Sequence, residues 1–349
     1  MRETPYTNRG SEITTPLDSD YKKILVPDEN RILVDWFAGT FTNIECPQKV
    51  IEYLGLDVKL FTPRSKGANG YKQALACGNI TILFDGQKNM GVHFSMSGDG
   101  CRQYETQFSD SPWLRLIGVI FSNNGNISRF DLAHDNVDKT LCLDLLEQSI
   151  NSHEVRTRFK RGKKTEDMTF HDGDDAPCGK TLNLNKSRQS LVFIRFYDKA
   201  AQLGFSAHWV RAEIEFKGDR AVRACHALLD GMPAGELFFS TMNTYFSVIN
   251  LDDSNKSRCS YKDWWSIWLQ SANKIKLTVA KAVKKIEEVK QWLHKSIAPC
   301  LAMVKEHSGQ AGFSDFIQDL IDGGKKRMSM KHEQILFNSN GMAVLGLPF

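Results

Sequence analysis

The sequence lacks several features that would place it in a functional class at once. No apolar run reaches the eighteen or more residues of a membrane helix, and the polar start "MRETPYTNRGSEITTP" has no hydrophobic signal core. The 8 cysteines are scattered, without a CxxC pair or a histidine at finger spacing, so neither a zinc finger nor a disulfide framework is indicated. We therefore expect a cytoplasmic protein with reduced, mostly structural thiols.

Little net charge and no internal repeat are present, so composition alone does not indicate a partner. The 45 Lys and Arg nearly balance the 41 Asp and Glu, while 41% hydrophobic residues in a chain of 349 suffice for a sizeable core. One segment is strongly basic, with six cations: Arg156, Arg158, Lys160, Arg161, Lys163 and Lys164. It predicts either a solvated hairpin or loop, or an arm that contacts DNA phosphates.

The order of strand and helix patterns predicts an α+β fold with a central antiparallel sheet and flanking helices. Residues 1–30 are polar and contain three prolines, which indicates a flexible leader. Residues 31–257 are predicted to form the main domain, and residues 258–349 a basic helical C-terminal region. Trp264, Trp265 and Trp268 have helical spacing there, which favours a core role over stacking on bases.

Two strand patterns each carry acidic residues on one face, because alternate residues of a strand point the same way. The four carboxylates are Asp131 and Asp135 in "SRFDLAHD", and Glu213 and Glu215 in "WVRAEIEFK". If the two strands are neighbours, these acids converge, and oxygen ligands of this kind suit Mg²⁺ or Mn²⁺. The alternative is a solvated face on which Arg129, Arg211 and Lys217 neutralise the acids.

The stretch "LVFIRFYDKAAQ" places Tyr197 at the end of an apolar strand, on the same side as Arg195. A lone tyrosine in a strand is usually a packing residue. A phenol with an ordinary pKa near 10 is a poor nucleophile at pH 7, so a reactive role requires nearby positive charge or a metal. Arg195 and Lys199 could supply that charge, and the electrophile that suits such a set is a phosphodiester.

Several segments, in order, resemble the Rep_trans family of rolling-circle replication initiators. They are "FSMSGDGCRQYE", "ISRFDLAHDN", "IRFYDKA" and "WVRAEIEFKGDRA". The resemblance covers roughly residues 31 to 310 and is closest to the replication proteins of CTX-type filamentous bacteriophages, because "DWFAGTF" and "WLHKSIAPCLAMVKEH" also match them.

The resemblance implies a catalytic domain at 31–257 that nicks one DNA strand at a replication origin and rejoins it at termination. Tyr197 would remain linked to the 5′-phosphate, with Arg195 and Lys199 also catalytic, and would leave a free 3′-OH. The implied metal, Mg²⁺ or Mn²⁺, would be held by Asp131 and Glu213, with Asp135 and Glu215 as further ligands. Arg211 and the basic segment would contact DNA.

The resemblance also implies partners. Origin DNA would be bound as a single strand or an extruded hairpin, and a host helicase and DNA polymerase would act at the free 3′-OH. Whether the protein acts as a monomer or a homodimer is left open by the sequence, as is a role for Tyr104 in termination.

Two departures from related proteins matter. The related HUH nickases bind metal through paired histidines, but this chain has no His-hydrophobe-His motif, so we expect an HUH-nickase-like sheet with carboxylate ligands. His93 and His134 are then expected to be structural or to face DNA, with a contribution to the metal site as the alternative. Many family members carry a Glu where this chain has Gln202. A non-catalytic origin-binding protein or repressor is therefore the alternative, and a tyrosine recombinase is disfavoured because no tyrosine follows Tyr261.

Overall fold

A computed structural model describes residues 26–168, 178–185, 190–204, 206–270, 286, 290 and 293–326. Most of the predicted leader lies outside these residues, as do most of 271–292 and everything after 326. Within the described part of the chain, no helix is both long enough and apolar enough to cross a bilayer.

In the described part of the chain, ten strands form one antiparallel sheet, and two short strands form a second sheet. The strands are β1 (Arg31–Phe41), β2 (Thr62–Pro63), β3 (Gln73–Cys77), β4 (Ile80–Phe84), β5 (Val92–Met96), β6 (Asn126–Asn136), β7 (Val155–Thr157), β8 (Lys163–Glu166), β9 (Lys180–Asn183), β10 (Val192–Asp198), β11 (Val210–Lys217) and β12 (Phe246–Val248). The large sheet has the order β2-β3-β4-β5-β1-β6-β11-β10-β9-β8, and β7 pairs with β12.

The described helices are connected in sequence with these strands. They are α1 (Pro47–Leu54), α2 (Gly98–Glu105), α3 (Trp113–Ser122), α4 (Leu143–Asn151), α5 (Lys199–Gln202), α6 (Asp219–Leu229), α7 (Ala234–Tyr245), α8 (Asp263–Leu269) and α9 (Ala298–Lys326), with a 3-10 turn at Val58–Leu60 and a π-helical turn at Leu293–Ile297. Helix α9 has a break at Gly309, where φ is 67° and ψ is 178°.

One face of the large sheet is apolar and packs against helices, because its strands alternate apolar and polar side chains. Leu132 of β6 and Ile214 of β11 are buried in this core, together with Trp113, Trp265 and Trp268, all of which are almost or fully inaccessible. The predicted core role of Trp265 and Trp268 is therefore confirmed. The predicted α+β fold with a large antiparallel sheet and flanking helices is also confirmed.

The opposite face of the sheet carries charged side chains on the four adjacent strands β1, β6, β11 and β10. Strands β6 and β11 are antiparallel neighbours, with Asp131 opposite Glu215 and Asp135 opposite Arg211. Strand β1 flanks β6 on the other side, and its register shifts between Val34 and Trp36. The extra residue of this β-bulge is Asp35, and a bulge of this kind redirects a side chain.

Candidate active site

Two rows of side chains cross the charged face, because residues directly opposite one another in an antiparallel pair point to the same side. The Tyr197 row runs through Thr181, Tyr197, Arg211, Asp135 and Arg31 on five adjacent strands. The Arg195 row runs beside it through Lys163, Asn183, Arg195, Glu213 and Ala133. Residues predicted from separate segments are thus brought together at the middle of the sheet.

Tyr197 is nearly buried, with 9% of its surface exposed. Its hydroxyl donates a hydrogen bond to Oε2 of Glu213 at 3.3 Å. Burial raises the pKa of Tyr197 well above its ordinary value; Arg211 opposes this shift and Glu213 adds to it. The phenol is therefore protonated at neutral pH, and any attack by its oxygen requires a group that accepts the proton.

Asp135 and Arg211 form the centre of a buried ion network beside the tyrosine. Arg211 binds Asp135 through Nε to Oδ1 at 2.6 Å and through Nη2 to Oδ2 at 3.0 Å. Its Nη1 reaches Asp35 at 2.9 Å, while Arg31 Nε binds Asp135 Oδ2 at 2.9 Å. Burial acts to raise the pKa of Asp135, but Arg211 and Arg31 outweigh it and hold that pKa far below its usual range.

A second ion network surrounds the other three predicted acids. Arg195 Nη2 lies 3.1 Å from Glu213 Oε1 and 2.9 Å from Glu215 Oε2. Arg129 Nη2 lies 2.6 Å from Asp131 Oδ2 and 2.8 Å from Glu215 Oε2. One carboxylate oxygen of Glu213 thus binds Arg195, and the other accepts the hydrogen bond from Tyr197. Glu213 therefore links the second network to the tyrosine.

The end of β10 explains how the segment "YDKAAQ" places a cation beside the ring. Asp198 caps α5 by accepting a hydrogen bond from the Ala201 amide at 2.8 Å, so the chain turns from strand to helix immediately after the tyrosine. Lys199 Nζ then lies 5.9 Å from the centre of the Tyr197 ring and donates to Gln202 Oε1 at 2.8 Å. Burial and the nearby Arg211 lower the pKa of Lys199.

Residues 125–321, more than half of the chain, match the model of the family described as "Replication initiation factor" (Rep_trans). The chain belongs to this replication initiation factor family. Residues 31–117 match a second model, "Rolling Circle replication initiation protein N-terminal domain". The resemblance seen in the sequence is thereby confirmed at the level of the family, while the closer likeness to phage proteins stays a prediction.

Two relatives of this replication initiation factor can be compared along most of its length. A Bacillus subtilis (strain 168) protein, "Putative DNA relaxase NicK", is 25% identical over 348 residues, which cover 95% of this chain and 96% of the relative. A solved rolling circle replication initiator protein from Geobacillus stearothermophilus is 29% identical with a TM-score of 0.65, covering 72% of this chain and 99% of that chain. Its likeness supports the HUH-nickase-like sheet.

The four predicted metal ligands do not form one site. Asp135 lies four residues from Asp131 along β6, or about 13 Å at the usual rise of a strand, so the two cannot hold the same ion. Among the residues that the structure describes, no group of three or more His, Cys, Asp or Glu side chains could hold a metal ion.

Asp131 and Glu213 remain the predicted pair of metal ligands. Burial raises the pKa of both Asp131 and Glu213, and for Asp131 the neighbouring Glu213 adds to the shift. The positive charge around these two carboxylates therefore does not fully offset their burial, although Arg129 and Arg195 bind them. Mg²⁺ commonly takes one or two carboxylates and keeps several waters, so Asp131 and Glu213 are the pair that would hold it.

Two of the cations predicted to contact DNA, Arg211 and Arg156, bind groups within the protein. All donor nitrogens of Arg211 face Asp135 or Asp35. Arg156 lies on the short second sheet, where its Nη2 donates to Tyr261 Oη at 2.8 Å and to Ser247 Oγ at 3.3 Å. Both guanidinium groups are thereby committed to internal partners.

The rest of the basic segment is exposed, namely Arg158, Lys160, Arg161, Lys163 and Lys164. Strand alternation divides its last two lysines between the faces of the sheet. Lys163 belongs to the Arg195 row, whereas Lys164 pairs with Glu147 of α4 at 2.6 Å on the helix-covered side. Only Lys163 of these two faces the site.

The histidines and the second tyrosine considered from the sequence lie away from Tyr197. His134 is fully buried on the helix-covered face and accepts a hydrogen bond from Trp268 Nε1 at 3.4 Å. His93 forms a hydrogen bond with Thr40 Oγ1 at 2.9 Å on β1 and β5. Tyr104 is fully buried, and its hydroxyl donates to the Leu54 carbonyl at 2.7 Å. Their contacts are those of structural residues.

Sequence reasoning missed Asp35 and Arg31 as parts of the site. Asp35 stands in the apolar strand "RILVDWF", where strict alternation would assign it a face without regard to the bulge. The isolated charge was a signal, and Asp35 lies beside the register shift with its Oδ1 2.9 Å from Arg211 Nη1.

Proposed function

We propose that this chain is a rolling-circle replication initiator that nicks one strand of origin DNA through Tyr197 and rejoins it at termination. The observation that carries the proposal is the hydrogen bond from the Tyr197 hydroxyl to Glu213, beside Arg195, in a chain of the replication initiation factor family. The relatives named as a relaxase and as a rolling circle initiator support the same reaction class.

The first step is a transesterification. The Tyr197 oxygen attacks the phosphorus of a phosphodiester, its proton passes to Glu213 Oε2, and the bond from phosphorus to the 3′ oxygen breaks. Glu213 suits this role because it already accepts the hydroxyl proton's hydrogen bond and because burial raises its pKa. The products are a 5′-phosphotyrosine and a 3′ oxygen that takes up a proton to become a free 3′-OH.

Two cations assist in this proposal. Arg195 is one-third exposed and flanks Glu213, so its remaining donors are placed to bind a phosphate oxygen and to stabilise the charge that develops there. Lys199, whose pKa is lowered, would give its proton to the departing 3′ oxygen. The reverse of these steps joins the strand again when a 3′-OH attacks the phosphotyrosine.

A divalent ion, Mg²⁺ or Mn²⁺, held by Asp131 and Glu213 would polarise the phosphate when bound. Extension of the free 3′-OH by a host polymerase, with a host helicase, follows from the proposal. Origin DNA would be presented as a single strand or hairpin.

The test is a covalent adduct. Wild-type protein is incubated with labelled single-stranded DNA carrying the origin and with Mg²⁺ or Mn²⁺, and a denaturing gel is examined for a protein-DNA band. Tyr197→Phe is expected to bind the DNA but to give no band, and Tyr53→Phe, in α1, serves as the matched control that keeps it. A band that survives Tyr197→Phe contradicts the residue assignment, and the absence of a wild-type band indicates the non-catalytic origin-binding protein instead.

A further inference from the structure

A cleft of about 470 Å³ opens on the charged face beside the candidate active site. It lies over the adjacent strands β9, β10 and β11. The side chains that matter to its chemistry are Asn183, Asn185, Phe193, Arg195, Glu215 and Lys217. Its volume falls in the range of small-molecule sites, and of its lining residues the proposed cleavage step uses Arg195 alone.

The cleft shares one residue with the proposed reaction, which fixes its place relative to the tyrosine. Arg195 lines the cleft and also binds Glu213, the acceptor of the Tyr197 hydroxyl. Phe193 lies four residues from Tyr197 on the same face of β10, or about 13 Å at the usual rise of a strand. An occupant of the cleft would therefore lie near the phosphate under attack, but not at it.

The lining combines an aromatic face, amides and cations. Phe193 is half-buried and lines the cleft, and Lys217 Nζ lies 4.5 Å from the ring centre. Asn183 stands next to Arg195 in the Arg195 row, which continues outward to the exposed Lys163. The one acid, Glu215, is paired with Arg129, Arg195 and Lys217, so it does not leave the cleft negative.

We propose that this cleft binds a nucleobase of single-stranded DNA next to the nick site, with the base stacked on Phe193. Aromatic side chains bind bases of a single strand by stacking, and flanking cations hold its phosphates. Asn183 offers an amide that can donate to and accept from a base edge. Arg195 and Lys163, both in the Arg195 row, would bind phosphates of the same DNA strand. The proposal rests on the proposed function, since the occupant is the strand that Tyr197 would cut.

The experiment measures binding alone, with the full chain carrying Tyr197→Phe so that no covalent product forms. Fluorescence anisotropy compares an oligothymidylate of about 12 nucleotides with an oligomer of the same length that has abasic sugars at every position. The protein is expected to bind the thymidylate about tenfold more tightly or better. Adding Phe193→Leu should remove most of this difference while leaving the abasic affinity and its salt dependence unchanged.

Two further variants make the result specific. Phe193→Trp keeps an aromatic face and should retain the preference for bases. Phe84→Leu replaces a half-buried phenylalanine on β4, five strands away in the sheet, and should have no effect on either oligomer. Thermal unfolding of each variant checks that the fold is kept.

The outcomes separate this proposal from the previous one. The base cleft is overturned if the Tyr197→Phe protein binds the two oligomers with equal affinity. It is also overturned if Phe193→Leu weakens binding of both oligomers equally, even if wild type forms its covalent band. Base-dependent binding that is lost with Phe193→Leu supports the cleft even if no covalent band is found.

Discussion

Glu213 is the residue on which the proposed chemistry depends most, because its two oxygens serve two partners. Oε1 binds Arg195 at 3.1 Å and Oε2 accepts from Tyr197 at 3.3 Å. The same carboxylate is also one of the two that are proposed to hold a metal ion. The two roles, base and ligand, make different predictions for one substitution.

Glu213→Gln keeps a hydrogen-bond acceptor next to Tyr197 but removes the group that takes the proton. We expect the single-turnover rate of covalent adduct formation to fall about 10²- to 10⁴-fold, with DNA affinity nearly unchanged. The rate is measured at several Mn²⁺ concentrations. Recovery of the wild-type rate at high Mn²⁺ would contradict the role as base, because it would show that metal affinity was what the substitution had reduced.

Gln202 is the residue at which the sequence resemblance predicts a departure from the family pattern. Its side chain accepts a hydrogen bond from Lys199 at 2.8 Å. A glutamate there would place a negative charge on the ammonium and favour its protonated form. The neutral amide leaves the pKa of Lys199 lowered, which suits a group that releases a proton. The departure is therefore compatible with catalysis as well as with its loss.

At the scale of elements, strand alternation divides the basic segment between two faces. Lys163 and Lys164 are adjacent in the sequence, yet Lys163 continues the Arg195 row while Lys164 pairs with Glu147 and Glu166. The two lysines form a matched pair, because both are exposed and both lie on β8. Their side chains point to opposite faces of the sheet.

Lys163→Gln is expected to weaken binding of single-stranded DNA several-fold and to reduce the slope of log affinity against log salt by about 0.7, since one phosphate contact is lost. Lys164→Gln should leave that slope as in wild type. Both are measured by anisotropy over a salt series. An equal change of the salt slope in the two variants would mean that the basic segment acts as diffuse positive charge. The Arg195 row would then not guide the single-stranded DNA.

The sequence predicted the elements around the site better than their arrangement. Alternation in "SRFDLAHD" and "WVRAEIEFK" correctly placed the acids on shared faces, because β6 and β11 are regular over those residues. It could not show that Asp135 is paired with Arg211 and Arg31 while Asp131 is paired with Arg129. The pairing of Asp135 with Arg211 and Arg31 depends on register across three strands, and the bulge at Asp35 depends on contacts distant in sequence.

At the scale of the whole molecule, folding brings histidines into the interior. Burial lowers the pKa of His134 from 6.5 to about 4, and that of His93 likewise to about 4. Below pH 6.5 the unfolded chain therefore binds protons that the folded protein does not. The stability contributed by each neutral histidine is fully present above pH 6.5 and decreases as the pH falls toward 4.

Buried carboxyls act in the opposite direction over part of this range. The folded-state pKa values of Asp131 and Glu213 are raised, so the folded protein takes up their protons first and gains stability as the pH falls toward the unfolded values. The pH dependence of the wild type is the sum of both effects. Only a difference between variants isolates one histidine.

His134→Phe keeps an aromatic ring among Phe238, Phe239 and Trp268 but removes the titrating group. Loss of the acceptor for Trp268 should lower the free energy of unfolding equally at every pH. Below pH 6.5, however, that free energy should fall less steeply with decreasing pH than in wild type, by up to about 1.4 kcal/mol per pH unit. Urea unfolding at about pH 7, 6 and 5 measures both effects, with His226→Phe at an exposed position as the control. Parallel curves for wild type and His134→Phe would show that His134 is not held neutral by the fold.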